Sequence, residues 1–284
     1  MDSSTRSIGP QIRMMLPELT PKEGEIARHL LGQGAAVAQL TISEVAGNFG
    51  VSEAMIVKLA KRLGFSGYKD LKTKLVQYAQ LPTTDMFEEL SASDTTEQIV
   101  NKLFRTSIQA IEETLAVLDL KDVERAVKIL LAAEQVDLYG LGGSAAIAKD
   151  ASHKFLRIGF RMSAYEDAHL MSMSASLLTP KDAVIAISHS GQTTAVLSAL
   201  RLAQANGAKI IALTNHLLSP LGKEADVVLQ STARGSMLMG ENAAARIAQL
   251  NIIDVLFVCV AQHVQDKSWT NLEKTMRSVE GKRE

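Results

Sequence analysis

The chain has 284 residues, 46% of them hydrophobic and 21% charged, with a formal net charge of −1. That length allows two ordinary domains or one large one, the composition supports a real core, and the near-neutral balance gives no global sign of a polyanion partner. The single Cys259 excludes a disulfide and a cysteine-based metal site and fits a reducing, cytoplasmic compartment.

The charge is unevenly placed. Residues 1–80 carry ten Lys/Arg against seven Asp/Glu, net +3, and within Ser52–Tyr78 the residues Lys58, Lys61, Arg62, Lys69, Lys72 and Lys74 are opposed only by Glu53 and Asp70. A basic patch in a neutral protein points to a local polyanion partner. The start of the chain has no apolar core of signal-peptide length, and the longest apolar run, Ile247–Val264, is broken by Gln249, Asn251 and Asp254. It reads as a buried or interface helix, and no membrane partner is expected.

After a short polar start, Thr20-Pro21-Lys22-Glu23 predicts a helix: Thr20 as N-cap, Pro21 in the first position and Glu23 closing a capping box. Ile26, Ala27, Leu30 and Leu31 share one face, and Gly32 ends it. Thr41–Glu44 forms a second capping box ahead of Val45, Ala46 and Phe49. Gly50-Val51-Ser52 then makes a tight turn, with Ser52 capping a third helix that turns Ile56, Leu59, Ala60 and Leu63 inward until Gly64. Ala46, Gly50 and Ile56 stand at helix-turn-helix spacing: a small residue for close approach, a glycine for the left-handed turn, a branched anchor for the recognition helix. Ser52, Glu53, Ala54, Val57, Lys58 and Lys61 are the candidate DNA-reading face, and Lys69, Lys72 and Lys74 the candidates for phosphate neutralisation. The plain alternative is a helical bundle with a solvated lysine face; spacing, caps and charge together favour DNA. Residues 81–97, with Pro82 and a Ser/Thr/Asp/Glu bias, read as a linker between a domain of residues 1–80 and one of 98–284.

A helical pair follows, Gln98–Leu118 and Asp122–Ala133, the first with Ile99, Leu103, Ile108, Ile111 and Leu115 on one stripe expected to pack in a core or a dimer. Next comes a strand at Gln135–Tyr139, the turn Gly140–Ser144 and a helix Ala145–Ile158. A dinucleotide fingerprint is incomplete there, because the position three after Gly142 is Ala145. Strands at Arg161–Glu166, Ala183–Ile187, Lys209–Thr214 and Asp226–Ser231 alternate with helices at Ala168–Leu178, after Thr194 to Asn206, and from about Asn242 to Val264. Such alternation predicts an α/β fold, a doubly wound parallel sheet with ligands at the carboxyl ends of its strands. At one such end Ser188, Ser190, Thr193 and Thr194 supply four hydroxyls around Gly191, a phosphate cradle opening a helix; the plain reading of the loop is a helix cap. Glu241, ahead of the last long helix, is placed either to cap it or to reach ligand hydroxyls. No HxH, HxxxH or carboxylate cluster points to a metal, and no cofactor is expected.

In combination, Val51–Lys58 with Leu63–Tyr68, and Gly140–Ser144, His153–Gly159 and Ser188–Thr193, resemble the RpiR family of bacterial transcriptional regulators, which join a helix-turn-helix to a sugar isomerase (SIS) domain. Asp167-Ala168-His169 and Met173–Ser176 resemble its ribose/allose-type branch most. The resemblance implies a flavodoxin-like SIS domain, a homodimer or homotetramer, a double-stranded DNA operator and a phosphosugar effector. It implies that Ser144, Ser188, Ser190 and Thr193 hold the phosphate, with Gly142, His189, Gly191, Gln192 and Glu241 completing the effector site, and that no residue is catalytic. The competing reading is a phosphosugar isomerase with an accessory helical domain. It needs a positioned base and an acid, for which Glu241 and a histidine are the candidates, and it leaves the basic helix-turn-helix unexplained. A purely structural oligomerisation module explains neither loop.

Overall fold

A computed structural model describes residues 8–80, 90–232 and 243–280. The chain divides into two compact units, Met1–Val117 and Leu118–Glu284.

In the first unit, α1 (Ile8–Met15) and a 3-10 turn precede α2 (Pro21–Gly32), a second 3-10 segment (Gly34–Gln39), α3 (Ile42–Phe49), α4 (Glu53–Arg62), α5 (Tyr68–Ala79) and α6 (Thr96–Val117). Both capping boxes form as their sequences dictate, at Thr20/Glu23 and Thr41/Glu44. Backbone bonds from Thr20 and Thr41 hold the Glu23 and Glu44 carboxyls below the usual carboxylate range. Gly50 takes φ +63 at the end of α3, and Val51 N–H returns to Ala46 O at 2.9 Å, so the turn into α4 is as tight as the spacing requires. Ile26, Leu30, Val45, Ala46, Ile56, Leu59, Leu63, Leu71, Leu75 and Tyr78 make the core. The supposed polar start is instead α1, whose Ile8 and Ile12, four residues apart on one face, enter that core, while Gln11 Nε2 donates to Leu63 O at 2.8 Å and closes the end of α4.

Helix α6 belongs to this unit, whereas the sequence reading opened the second domain at residue 98. It is held by a polar cluster. Glu113 pairs with Arg13 of α1 and accepts from Tyr78 Oη of α5 at 3.2 Å and Gln109 Nε2 at 2.8 Å. Of the expected linker, residues 81–89, including Pro82, lie outside the described residues.

The second unit opens with α7 (Leu120–Ala132) and continues β1 (Val136–Gly140), α8 (Gly143–Arg157), β2 (Met162–Tyr165), α9 (Ala168–Ala175), β3 (Ala183–Ile187), α10 (Thr194–Ala205), β4 (Lys209–Thr214), α11 (Pro220–Glu224), β5 (Val227–Gln230), α12 (Ala243–His263) and α13 (Gln265–Glu280). The five strands are parallel in the order β2-β1-β3-β4-β5, with Gly140 opposite Ile187 at the carboxyl ends. One face is covered by α7, α8 and α12 through Val127, Leu130, Ile147, Phe155, Ile253 and Leu256. The other is covered by α9 and α10 through Met171, Val196, Leu200 and Ala203. Helices on both faces explain why β3, AVIAI, carries no polar side chain and is wholly buried. By length and composition α12 is apolar enough to cross a membrane. Here Ile252, Ile253, Leu256 and Val260 bury against the sheet, as expected of a core helix. Inside β1, buried Asp137 accepts from Gln135 Nε2 at 2.9 Å, from Tyr139 Oη at 3.1 Å and from Ser174 Oγ, so its charge is fully hydrogen-bonded; burial and this carboxylate push the Tyr139 phenol well above its ordinary range.

Candidate functional site

A parallel sheet of this order winds one way from β1 to β2 and the other way from β1 to β3. The crevice where the winding reverses is the ligand position of doubly wound folds. The segments that flank it are Leu141–Gly142 with the first turn of α8 after β1, and Ser188–Thr193 after β3, the two glycine- and serine-rich stretches of the sequence.

The β3 loop is tightly built. Gly191 sits at φ +63, and a Cβ there would overlap Ser219 Oγ and lie 3.1 Å from Thr214 Oγ1. Gly191 N–H donates to Ser188 Oγ at 3.1 Å, and the Ser188 and Thr193 hydroxyls bond each other at 2.9 Å. Ser190 Oγ accepts from Gln192 N–H at 3.2 Å, which leaves its own proton to donate to a ligand. Backbone bonds from Asn215 N–H to His189 O and from Leu221 N–H to Gly191 O, 3.1 and 3.0 Å, stitch the loop to the turn after β4. In the β1 loop a Cβ on Gly140 would come within 2.8 Å of Ser144 O, so only glycine lets the turn close. The two helices that start here are α8, from Gly142, and α10, from Thr193, and neither is capped by a side chain. Thr20, Thr41, Ser52, Asp119, Asp167 and Ser219 do cap their helices. The first-turn amides of α8 and α10 therefore carry unneutralised dipole ends into one crevice, which is the physical condition for holding an anion.

Two further groups border the crevice. Arg246, in the first turn of α12, places its Cδ 3.4 Å from the position a Cβ would take on Gly143, and its guanidinium forms no ion pair among the described residues. His216 stacks edge-on against His189 with ring centroids 5.9 Å apart.

In the first unit, α4 buries Ile56, Leu59 and Ala60 and exposes Ser52, Glu53, Ala54, Lys58 and Lys61, with Val57 half-buried. Ser52 Oγ accepts from Met55 N–H at 3.3 Å, and the Glu53 carboxylate accepts from Ser43 of α3. Arg62 is turned away from that face, bonded to Glu23 at 2.8 Å and to Glu18 O at 2.6 Å. On α5, Lys69 is exposed, while Lys72 Nζ donates to Ala38 O and Leu40 O, each at 3.2 Å.

A model of the helix-turn-helix domain of the rpiR family matches residues 7–82, and a model of the SIS domain matches residues 129–259. Over 268 residues, 94% of this chain and 90% of that protein, the chain is 42% identical to the HTH-type transcriptional regulator RpiR of Escherichia coli strain K12. The chain belongs to the RpiR family. It is also 34% identical over 273 residues to an uncharacterized HTH-type transcriptional regulator of Haemophilus influenzae, covering 95% of each chain. Among solved structures it is similar to Vibrio vulnificus NanR in complex with ManNAc-6P, with TM-score 0.62, 25% identity, and coverage of 98% of this chain and 100% of that one. The sugar isomerase domain of an RpiR transcription factor from Sphaerobacter thermophilus shares the fold of the second unit, with TM-score 0.59 at 24% identity over 63% of this chain and 99% of that one. The protein is a DNA-binding transcriptional regulator with an SIS domain, and the regulators among its relatives favour that reading over the isomerase.

In this RpiR-family chain Gly142, Ser188, His189, Ser190, Gly191, Gln192 and Thr193 lie on the two loops of the β1/β3 crevice, and Ser144 in the first turn of α8 beside them. Glu241 lies outside the described residues. Sequence reasoning did not single out Arg246, Thr214, His216 or Ser219. Arg246 stands more than a hundred residues from Gly143 along the chain and nothing local marks it, but Thr214 ends a buried strand and Ser219 follows it, the same signal that exposed the β3 loop.

Proposed function

We propose that this RpiR-family regulator binds a phosphosugar in the β1/β3 crevice of a sensing domain and reads a double-stranded operator through α4 of residues 1–80, as a cytoplasmic homo-oligomer on an inverted repeat. What supports the effector reading best is the convergence of two uncapped helix starts and the Ser190 hydroxyl on the crevice where the sheet reverses its winding. Arg246 supplies a cation beside it. A sugar phosphate suits the site because its dianion matches the helix ends and its hydroxyls match His189, Gln192 and His216 around the rim, and NanR was solved with such a ligand. Ser190→Ala should cost about 1.5–3 kcal/mol of effector affinity, the range for a hydrogen bond to a charged group, while effector-free operator binding persists. A thermal-shift screen of phosphosugars on parent and variant measures it; normal binding by the variant would move the phosphate elsewhere. The isomerase reading is tested on the same samples: turnover by the parent that Glu241→Gln abolishes would restore it.

On the DNA side, Lys58→Ala should weaken specific operator binding by about 1–3 kcal/mol if the ammonium reads a base edge. Wild-type affinity at matched salt would remove α4 from the groove. Lys69 and Lys72 are proposed phosphate partners with different second duties. Lys69→Ala should lower affinity for all sequences alike and reduce the slope of log affinity against log salt by about one unit. Lys72→Ala should do the same and also reduce stability, because the Lys72 ammonium bridges the carbonyls that end the second 3-10 segment. An unchanged slope would make either lysine a purely structural or solvated group.

A further inference from the structure

Helix α6 inverts the usual arrangement of a surface helix. Its buried side is polar, with Thr106, Gln109, Glu113 and Thr114 all nearly inaccessible, and its apolar side chains face outward: Phe104 and Leu115 are each 69% exposed, Ile108 45% and Ile111 37%. Of the stripe that the sequence assigns to core or dimer packing, Ile99, Ile108, Ile111 and Leu115 are exposed and Leu103 is half-buried, so it is not core, and Phe104, which the sequence reading left out, extends its exposed side. Glu113 fixes the inversion, since rolling the helix about its axis would break a buried ion pair to Arg13. An exposed apolar stripe of this kind marks an interface.

The spacing says what kind. Phe104, Ile108, Ile111 and Leu115 follow one another by four, three and four residues, the a/d alternation of a coiled-coil seam, which a second helix of the same period fills knobs-into-holes. The flanking charges select partner and direction. Arg105 and Glu112 occupy equivalent e positions one heptad apart on one flank. Arg105 is exposed and forms no ion pair among the described residues, and one Glu112 carboxylate oxygen is covered without a hydrogen-bond donor. In an antiparallel pair about a two-fold axis e faces e, so Arg105 meets Glu112 of the partner subunit and Glu112 meets Arg105 of the partner subunit. In a parallel pair e faces g, where Val100, Ser107 and Thr114 offer no charge. We propose that α6 is a dimerisation seam that pairs antiparallel with α6 of a second copy of this chain, Phe104 packing against the partner's Leu115 and Ile108 against the partner's Ile111. Because α6 and α4 share one compact unit, the seam places two reading helices about one two-fold axis, the symmetry an inverted repeat presents.

Cysteine cross-linking tests the seam whether or not the chain also associates through another surface. In full-length Cys259→Ser protein, Phe104→Cys combined with Leu115→Cys should form an intermolecular disulfide under mild oxidation; within one helix the two positions stand about 16 Å apart and cannot bond. Phe104→Cys alone should not cross-link, since in this register it faces leucine. Adding Arg105→Glu should slow the cross-link about tenfold by setting like charges on both flanks, and adding Glu112→Arg to that should restore it. Circular dichroism melting checks that each variant is folded. No disulfide in the folded double variant, one formed as fast by Phe104→Cys alone, or one indifferent to the charge reversals overturns the seam.

Discussion

Gly191→Ala is expected to abolish phosphosugar binding and to lower the stability of the sensing unit by about 2–5 kcal/mol, while leaving operator binding without effector intact. Two costs add. An L-residue at φ +63 pays about 1–2 kcal/mol for the left-handed conformation. The new methyl then overlaps Ser219, which cannot retreat freely because its hydroxyl caps α11 by accepting from Gly222 N–H at 3.2 Å, and overpacking of this kind costs about 1–3 kcal/mol. Any relief must move the β3 loop away from the turn after β4, which pulls Ser190 out of the crevice. Calorimetric unfolding of the full chain with and without the effector measures both parts. An unshifted transition together with retained binding would show that the loop is plastic and that its geometry does not define the site.

Glu113→Ala should destabilise the N-terminal unit by about 3–5 kcal/mol, because it leaves the largely covered Arg13 guanidinium without its counter-charge. Tyr78 and Gln109 lose their acceptor as well. Replacing both ions, Arg13→Met with Glu113→Leu, should recover most of the loss, since the penalty comes from an unpaired buried charge rather than from absence of the pair. Urea denaturation followed by helical circular dichroism gives the ordering. A single variant as stable as the parent would mean that water reaches Arg13 and the cluster is not the anchor of α6.

How much of this was legible depended on whether the signal was local. The helix-turn-helix could be read residue by residue, because Thr20, Thr41 and Ser52 declare helix starts and Gly50 declares a backbone sign that other residues resist. The sheet could be read because β3 and β4 are buried on both faces and leave no alternative to a parallel strand. Helix α1 was missed since two isoleucines in a short segment holding Gly9 and Pro10 give too weak a period, whereas α13 does carry a helical period, Trp269, Leu272, Met276 and Val279 spaced by three, four and three residues, which the sequence reading passed over; Asn271 Nδ2 donating to Ile158 O at 3.0 Å ties it down. Periodicity gave the α6 stripe but not its direction, which is set by Arg13, a hundred residues before its partner Glu113. Arg246 was invisible for the same reason: its relevance exists only after α12 has crossed the sheet to Gly143.

Lys154 of α8 forms an ion pair with Asp254 near the middle of α12, and desolvation notwithstanding, its two carboxylate partners raise its pKa. The helix that begins at the crevice and the helix that brings Arg246 to it are thus clamped midway along their length. With 21 residues, α12 is about 30 Å long, and Asp254 stands eight residues from Arg246 and nine from His263, so a tilt of about 5° about the salt bridge carries each end through about 1 Å. That is the displacement at which packed helices jump between discrete arrangements rather than deform smoothly. The long apolar rod that looks like a membrane span by composition has the proportions of a balanced lever, with its fulcrum at a salt bridge and one of its two nearly equal arms at the proposed anion site.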